Sequence, residues 1–181
     1  YMVEGRRLYT EHQQKRSQAI PAFKLAKVAP VGDLRQAADL ARVDWAKLPA
    51  VPGWGGLSGD PVHREMATRL GQDGRYLLIE FTDAVKTAAL SASNDVWSGD
   101  DFELFFATGR DAKQYHQLCV GPKGGLAGLA WTVEPRANAD WASGAVAASD
   151  TSAAGSFAYR FASASMTFFN SAWLETITTR A

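Results

Sequence analysis

Asn94-Asp95-Val96-Trp97-Ser98-Gly99-Asp100-Asp101-Phe102-Glu103-Leu104-Phe105-Phe106 is the stretch on which the fold reading turns. A polar, acidic loop carries one large aromatic and runs directly into an alternating strand. The period of two that a pleated strand imposes puts Phe102, Leu104 and Phe106 on one face and Glu103 and Phe105 on the other. A loop tryptophan followed by a strand carboxylate offers a neutral polyol a flat apolar platform and a strong hydrogen-bond acceptor. The competing reading has Trp97 plugging one end of a β-sandwich and Glu103 solvated on its strand.

Outward from this stretch, short strands recur at regular spacing. They are expected at 63–70, 76–83, 102–107, 113–120, 126–133, 141–148, 156–162 and 166–169, with a further one at 173–178. Turn signals separate them: Gln-Asp-Gly at 72–74, Thr-Gly-Arg-Asp at 108–111, Pro-Lys-Gly-Gly at 122–125 and Ala-Gly-Ser at 154–156. Such punctuation predicts an all-β, antiparallel sandwich of the immunoglobulin or jelly-roll kind rather than βαβ units. Leu77, Ile79 and Phe81 form one inward face, and Phe157, Tyr159 and Phe161 another.

The first 42 residues read as an N-terminal helical or linker segment ahead of a sandwich domain over 43–181. Residues 4–18 are charged and free of Pro, which suits a helix, and 22–29 suit an extended or edge-strand segment. Asp33 is expected to cap a small helix over 33–42, and Trp45 is expected in the core. Trp54, among glycines in a turn-rich loop over 49–60, is a candidate second platform or lid.

At 181 residues, with 46% hydrophobic and 21% charged residues, the chain has room for one well-cored domain. Lys plus Arg number 19, as do Asp plus Glu, so no basic field draws in nucleic acid or anionic lipid. The lone Cys119 excludes an intrachain disulfide and a Cys-rich zinc site, and its alternating surroundings predict a buried thiol. No apolar run approaches the about 20 residues of a membrane span. The chain starts at Tyr1 and shows no signal peptide, so a fragment of a longer polypeptide is expected.

The frame Asp-Val-Trp-x-Gly-Asp-Asp-Phe-Glu-Leu-Phe-Phe, with Leu-Leu-Ile-Glu-Phe-Thr-Asp at 77–83 and Tyr-His-Gln-Leu at 115–118, resembles the family 9 carbohydrate-binding modules. The resemblance covers roughly residues 43 to 181. It implies non-catalytic sugar binding between two tryptophans, carried here by Trp97 with Glu103 and by Trp173 with Asn170. Tyr115 and Gln117 share one strand face and line the same groove in this reading. Around 157–161 the sequence departs from the family pattern. The resemblance also implies structural calcium, for which Asp95, Asp100 and Asp101 are the candidate ligands, and a parent enzyme acting on polysaccharide. Two alternatives stand beside it: an accessory sandwich of a larger glycoside hydrolase with no ligand of its own, and a haem-binding relative using Met66 and His116. Catalysis is not expected, because no carboxylate opposes Glu103, Asp100 and Asp101 in the pattern of a glycoside-hydrolysing pair.

Overall fold

In the computed structural model the described residues are 7, 25–51, 65–85, 90–107, 114–131, 137–138, 143–150, 157–163 and 173–180. Eleven strands are described. They are β1 (Ala26–Lys27), β2 (Ala50–Val51), β3 (Met66–Gln72), β4 (Leu77–Asp83), β5 (Asp101–Ala107), β6 (Tyr115–Val120), β7 (Leu126–Trp131), β8 (Ala137–Asn138), β9 (Ala145–Asp150), β10 (Phe157–Ser163) and β11 (Trp173–Arg180). One sheet runs β1-β3-β4-β10-β9 with β2 also on β3, and the other runs β11-β5-β6-β7-β8. All pairings are antiparallel except β1 with β3. The architecture is the expected all-β sandwich. The expected strand at 166–169, the helix over 4–18 apart from Arg7, and Trp54 and Asn170 lie outside the described residues. Among the described residues no helix is long and apolar enough to cross a membrane.

Between the sheets the alternation does what the pleat demands. Leu70, Leu77, Ile79 and Phe81 from one sheet meet Phe102, Leu104, Phe106, Leu118 and Val120 from the other. Phe81 stacks on Phe102 with ring centroids 4.3 Å apart and planes 6° apart, and Tyr159 lies 5.7 Å from Phe102. Aromatic pairs of this kind add about 0.5–1.5 kcal/mol each beyond the area they bury. The Tyr159 hydroxyl is driven upward in pKa by burial and by Asp100, Asp101 and Asp83, so a neutral phenol stands among carboxylates.

The outer face of the six-stranded sheet is also buried, under residues 25–48. Leu34, Leu40, Val43, Trp45 and Leu48 pack on Tyr76, Leu78 and Ala162. This roof is fastened by hydrogen bonds from Val28 N–H to the Gln72 carbonyl at 2.8 Å, Val31 N–H to Asp73 Oδ2 at 3.1 Å and Leu34 N–H to the Tyr76 hydroxyl at 3.1 Å. Trp45 is core, as expected, and its indole N–H donates to the Leu40 carbonyl at 3.0 Å. The boundary expected after residue 42 thus falls within this layer, between Leu40 and Trp45 of one cluster. Gly71 is where roof and sheet come closest, since a Cβ there would stand 2.6 Å from Leu48 Cδ2.

The small helix is real but shorter and tighter than expected, a 3₁₀ segment over Ala37–Arg42 that starts after Gln36 rather than Asp33. Asp39 Oδ2 accepts the N–H groups of Arg35 and Gln36 at 2.9 and 3.1 Å, which fixes that start. Asp33 pairs instead with Arg35 and Arg75.

Candidate functional site

The outer face of the five-stranded sheet is built differently. Register aligns it into three rows across β5, β6 and β7: Glu103–Cys119–Ala127, Phe105–Gln117–Leu129 and Ala107–Tyr115–Trp131. Residues two apart on neighbouring strands are diagonal neighbours, within reach of long side chains. Two hydrogen bonds use that diagonal. The Trp131 indole N–H donates to Gln117 Oε1 at 2.9 Å, and Gln117 Nε2 donates to Glu103 Oε1 at 2.9 Å. The amide orientation is forced by chemistry, because an indole N–H only donates and a carboxylate only accepts. Gln117 is therefore a relay with one correct setting, polarised toward the carboxylate.

Glu103 is 5% exposed, so it is not the solvated side chain that the competing sequence reading allowed, and Gln117 beside it is 9% exposed. The aromatic row beside them is half-buried. Tyr115 stacks on Trp131 with centroids 5.6 Å apart and planes 17° apart, and Phe105 lies 6.0 Å from Tyr115. Trp131 had no assigned role in the sequence reading. Its signal was available in the period of two, which places Trp131 on the same strand face as Leu129 and, given the turn at 122–125, across from Tyr115.

Trp97 is half-buried on a 3₁₀ turn over Val96–Ser98. Asp95 caps that turn, accepting from Trp97 N–H at 3.2 Å and from the Ser98 hydroxyl at 2.6 Å. Asp100 locks the loop base, where its N–H donates to the Ser91 carbonyl at 2.8 Å and its Oδ2 accepts from Ser91 N–H at 2.6 Å. At Gly99 a Cβ would fall 2.4 Å from the Ser91 carbonyl oxygen, so only glycine lets the two passes of the loop touch. The turn meets the sheet where the Cys119 thiol approaches the Val96 carbonyl at 3.7 Å, in the row of Glu103. Trp173 enters by backbone register opposite Ala107, four residues further along β5. At roughly 3.3 Å per residue Glu103 and Ala107 are about 13 Å apart along the strand, with the Phe105–Gln117 row between them.

The three candidate calcium ligands are engaged separately. Asp95 caps its turn, Asp100 holds Ser91, and Asp101 is 3% exposed at the start of β5. Among the described residues no three of His, Cys, Asp and Glu are grouped to hold a metal ion. The candidate haem ligands sit on different sheets, Met66 packed against the inter-sheet core on β3 and His116 on β6 with its pKa lowered by burial. Cys119 is buried, as its surroundings predicted.

No family model and no curated protein sequence matches the chain. Its fold is similar to the crystal structure described as that of a "putative carbohydrate-binding protein" from Bacteroides uniformis ATCC 8492. The two share 16% identity with a TM-score of 0.58, over 82% of this chain and 74% of that one. At that identity the likeness speaks for the sandwich fold.

Proposed function

We propose that this chain is a non-catalytic carbohydrate-binding domain that works beside a polysaccharide-active enzyme in a secreted or periplasmic setting. The observation that carries the reading is the Trp131–Gln117–Glu103 hydrogen-bond line set beside half-buried rings on the outer face of one sheet. Sugars are recognised by this pairing of ring faces for C–H groups with fixed planar hydrogen-bonding side chains. Trp97, on the loop pinned by Ser91 and Asp100, and Trp173, paired by backbone register with Ala107, are the further sugar contacts in this reading. Hydrolysis of a glycoside needs two carboxylates flanking the bond, and Glu103 is the only carboxylate among the described residues of the three rows. The fold likeness to a protein described as carbohydrate-binding agrees with this reading.

Isothermal titration with glucose, xylose, mannose and galactose and with cellobiose, xylobiose and mannobiose tests it. At least one of these is expected to saturate the protein with a micromolar to millimolar Kd, or about 4–8 kcal/mol. Trp97→Ala and Glu103→Gln should each weaken that binding. No heat with any of them would remove the sugar and leave the face to a neighbouring domain.

A further inference from the structure

Resting on that reading of the face, we infer that Trp131 is the ring on which the sugar stacks, and that Gln117 is a positioning residue that sets it by tying its indole N–H to Glu103. Three observations lead there. Trp131 gives one side to Tyr115 and remains partly exposed at the end of β7. Its orientation is fixed twice, by the ring stack and by the 2.9 Å bond to Gln117. The relay ends on a buried carboxylate, which makes the amide a stronger and less mobile acceptor for the indole than a solvated glutamine would be.

A ring held this way needs no reordering when a ligand arrives, so binding does not have to supply the entropy of fixing it. The arrangement also explains why a glutamine with an inward amide sits mid-strand on an outer face. Among the natural side chains, an amide of this length accepts from an indole on one strand and donates to a carboxylate on the other. Glutamate there would set two carboxylates against each other, and methionine would fill the space with no bond to either neighbour.

The test follows the Trp131 indole N–H signal in proton–nitrogen correlation spectra while calorimetry follows binding of the best sugar of the panel. Trp131→Phe identifies the signal by its disappearance. In the wild type that signal is expected to shift saturably with the sugar, at the Kd that calorimetry gives. Trp131→Ala is expected to weaken binding by about tenfold or more. Gln117→Met should move the resting indole signal and weaken binding several-fold while the chain stays folded by circular dichroism. Should Trp131→Ala fail to fold, the wild-type and Gln117→Met spectra still decide. Saturable binding with an unmoved Trp131 signal overturns this inference and leaves the sugar reading standing. The absence of any binding overturns both.

Discussion

The two sheets share one core and cover their outer faces differently. In the six-stranded sheet β4 is buried on both sides, with Leu77, Ile79 and Phe81 inward and Leu78 and Glu80 beneath the roof of residues 25–48. In the five-stranded sheet β7 is half-buried at every position, and its outer face carries Trp131. Even the charged groups differ in duty. Under the roof, Glu80 takes Arg160 at 3.0 Å and Arg69 at 3.7 Å, while Arg160 reaches Asp150 at 2.9 Å and stands 5.8 Å over the Trp45 ring. Glu103 instead accepts from Gln117, whose amide oxygen takes the indole N–H of a partly exposed ring. One outer face lies under a roof, and the other sets half-buried rings beside a buried carboxylate.

The sharpest way to break this contrast is to exchange tryptophans for alanine on the two outer faces. Trp45→Ala is expected to cost about 3–5 kcal/mol in urea unfolding, the range for deleting a buried aromatic, and to leave sugar affinity of the folded protein unchanged. A loss of affinity as large as that of Trp131→Ala would show that the faces are not separate. Next in size is Glu80→Ala, which takes from part-buried Arg160 one of its two carboxylates and leaves it Asp150. It should cost about 2–3 kcal/mol, less than a fully buried pair because both arginines keep some contact with water. Arg160→Met should cost a similar amount, since it removes the guanidinium over the Trp45 ring and leaves buried Glu80 with Arg69 alone of the two arginines.

Asp73 gives the smallest effect and a pH signature. Burial works to raise its carboxyl, but the amides of Tyr76, Val31 and Arg75 outweigh burial and hold it below its ordinary 3.8. The folded state therefore gains stability above that value and loses it as pH falls through the lowered one. Asp73→Asn should cost about 1 kcal/mol near neutral pH in denaturant melts. The gap from wild type should narrow on acidification below 3.8. A gap that stays constant well below that pH would show that the roof is not fastened by the charged form.

The inner faces were legible in the chain because they depend on neighbours two residues away. The alternations 77-79-81 and 102-104-106 say which side is apolar, and the turns at 72–74 and 122–125 say which strands pair. The roof was not legible. Leu34 meets Tyr76 across 42 residues, and no local pattern announces that partner. The parallel pairing of β1 with β3 is hidden for the same reason. In the candidate site the single-residue signals of Trp97, Glu103, Tyr115 and Gln117 could be seen, but the diagonal that joins Gln117 to both Glu103 and Trp131 needs the register of three strands at once. Trp131 was missed because a tryptophan on a strand announces burial and exposure equally well.

One pairing has a consequence for the life of the chain. Asp101–Ala107 holds three phenylalanines in seven residues and is an interior strand only because β11 lies beside it, from Trp173 against Ala107 to Arg180 against Asp101. Lift that last strand away and the segment becomes a bare rim of unspent amides and carbonyls, with the composition that recruits further copies of itself. β11 thus caps the edge of β5 and keeps its backbone groups from pairing with another copy.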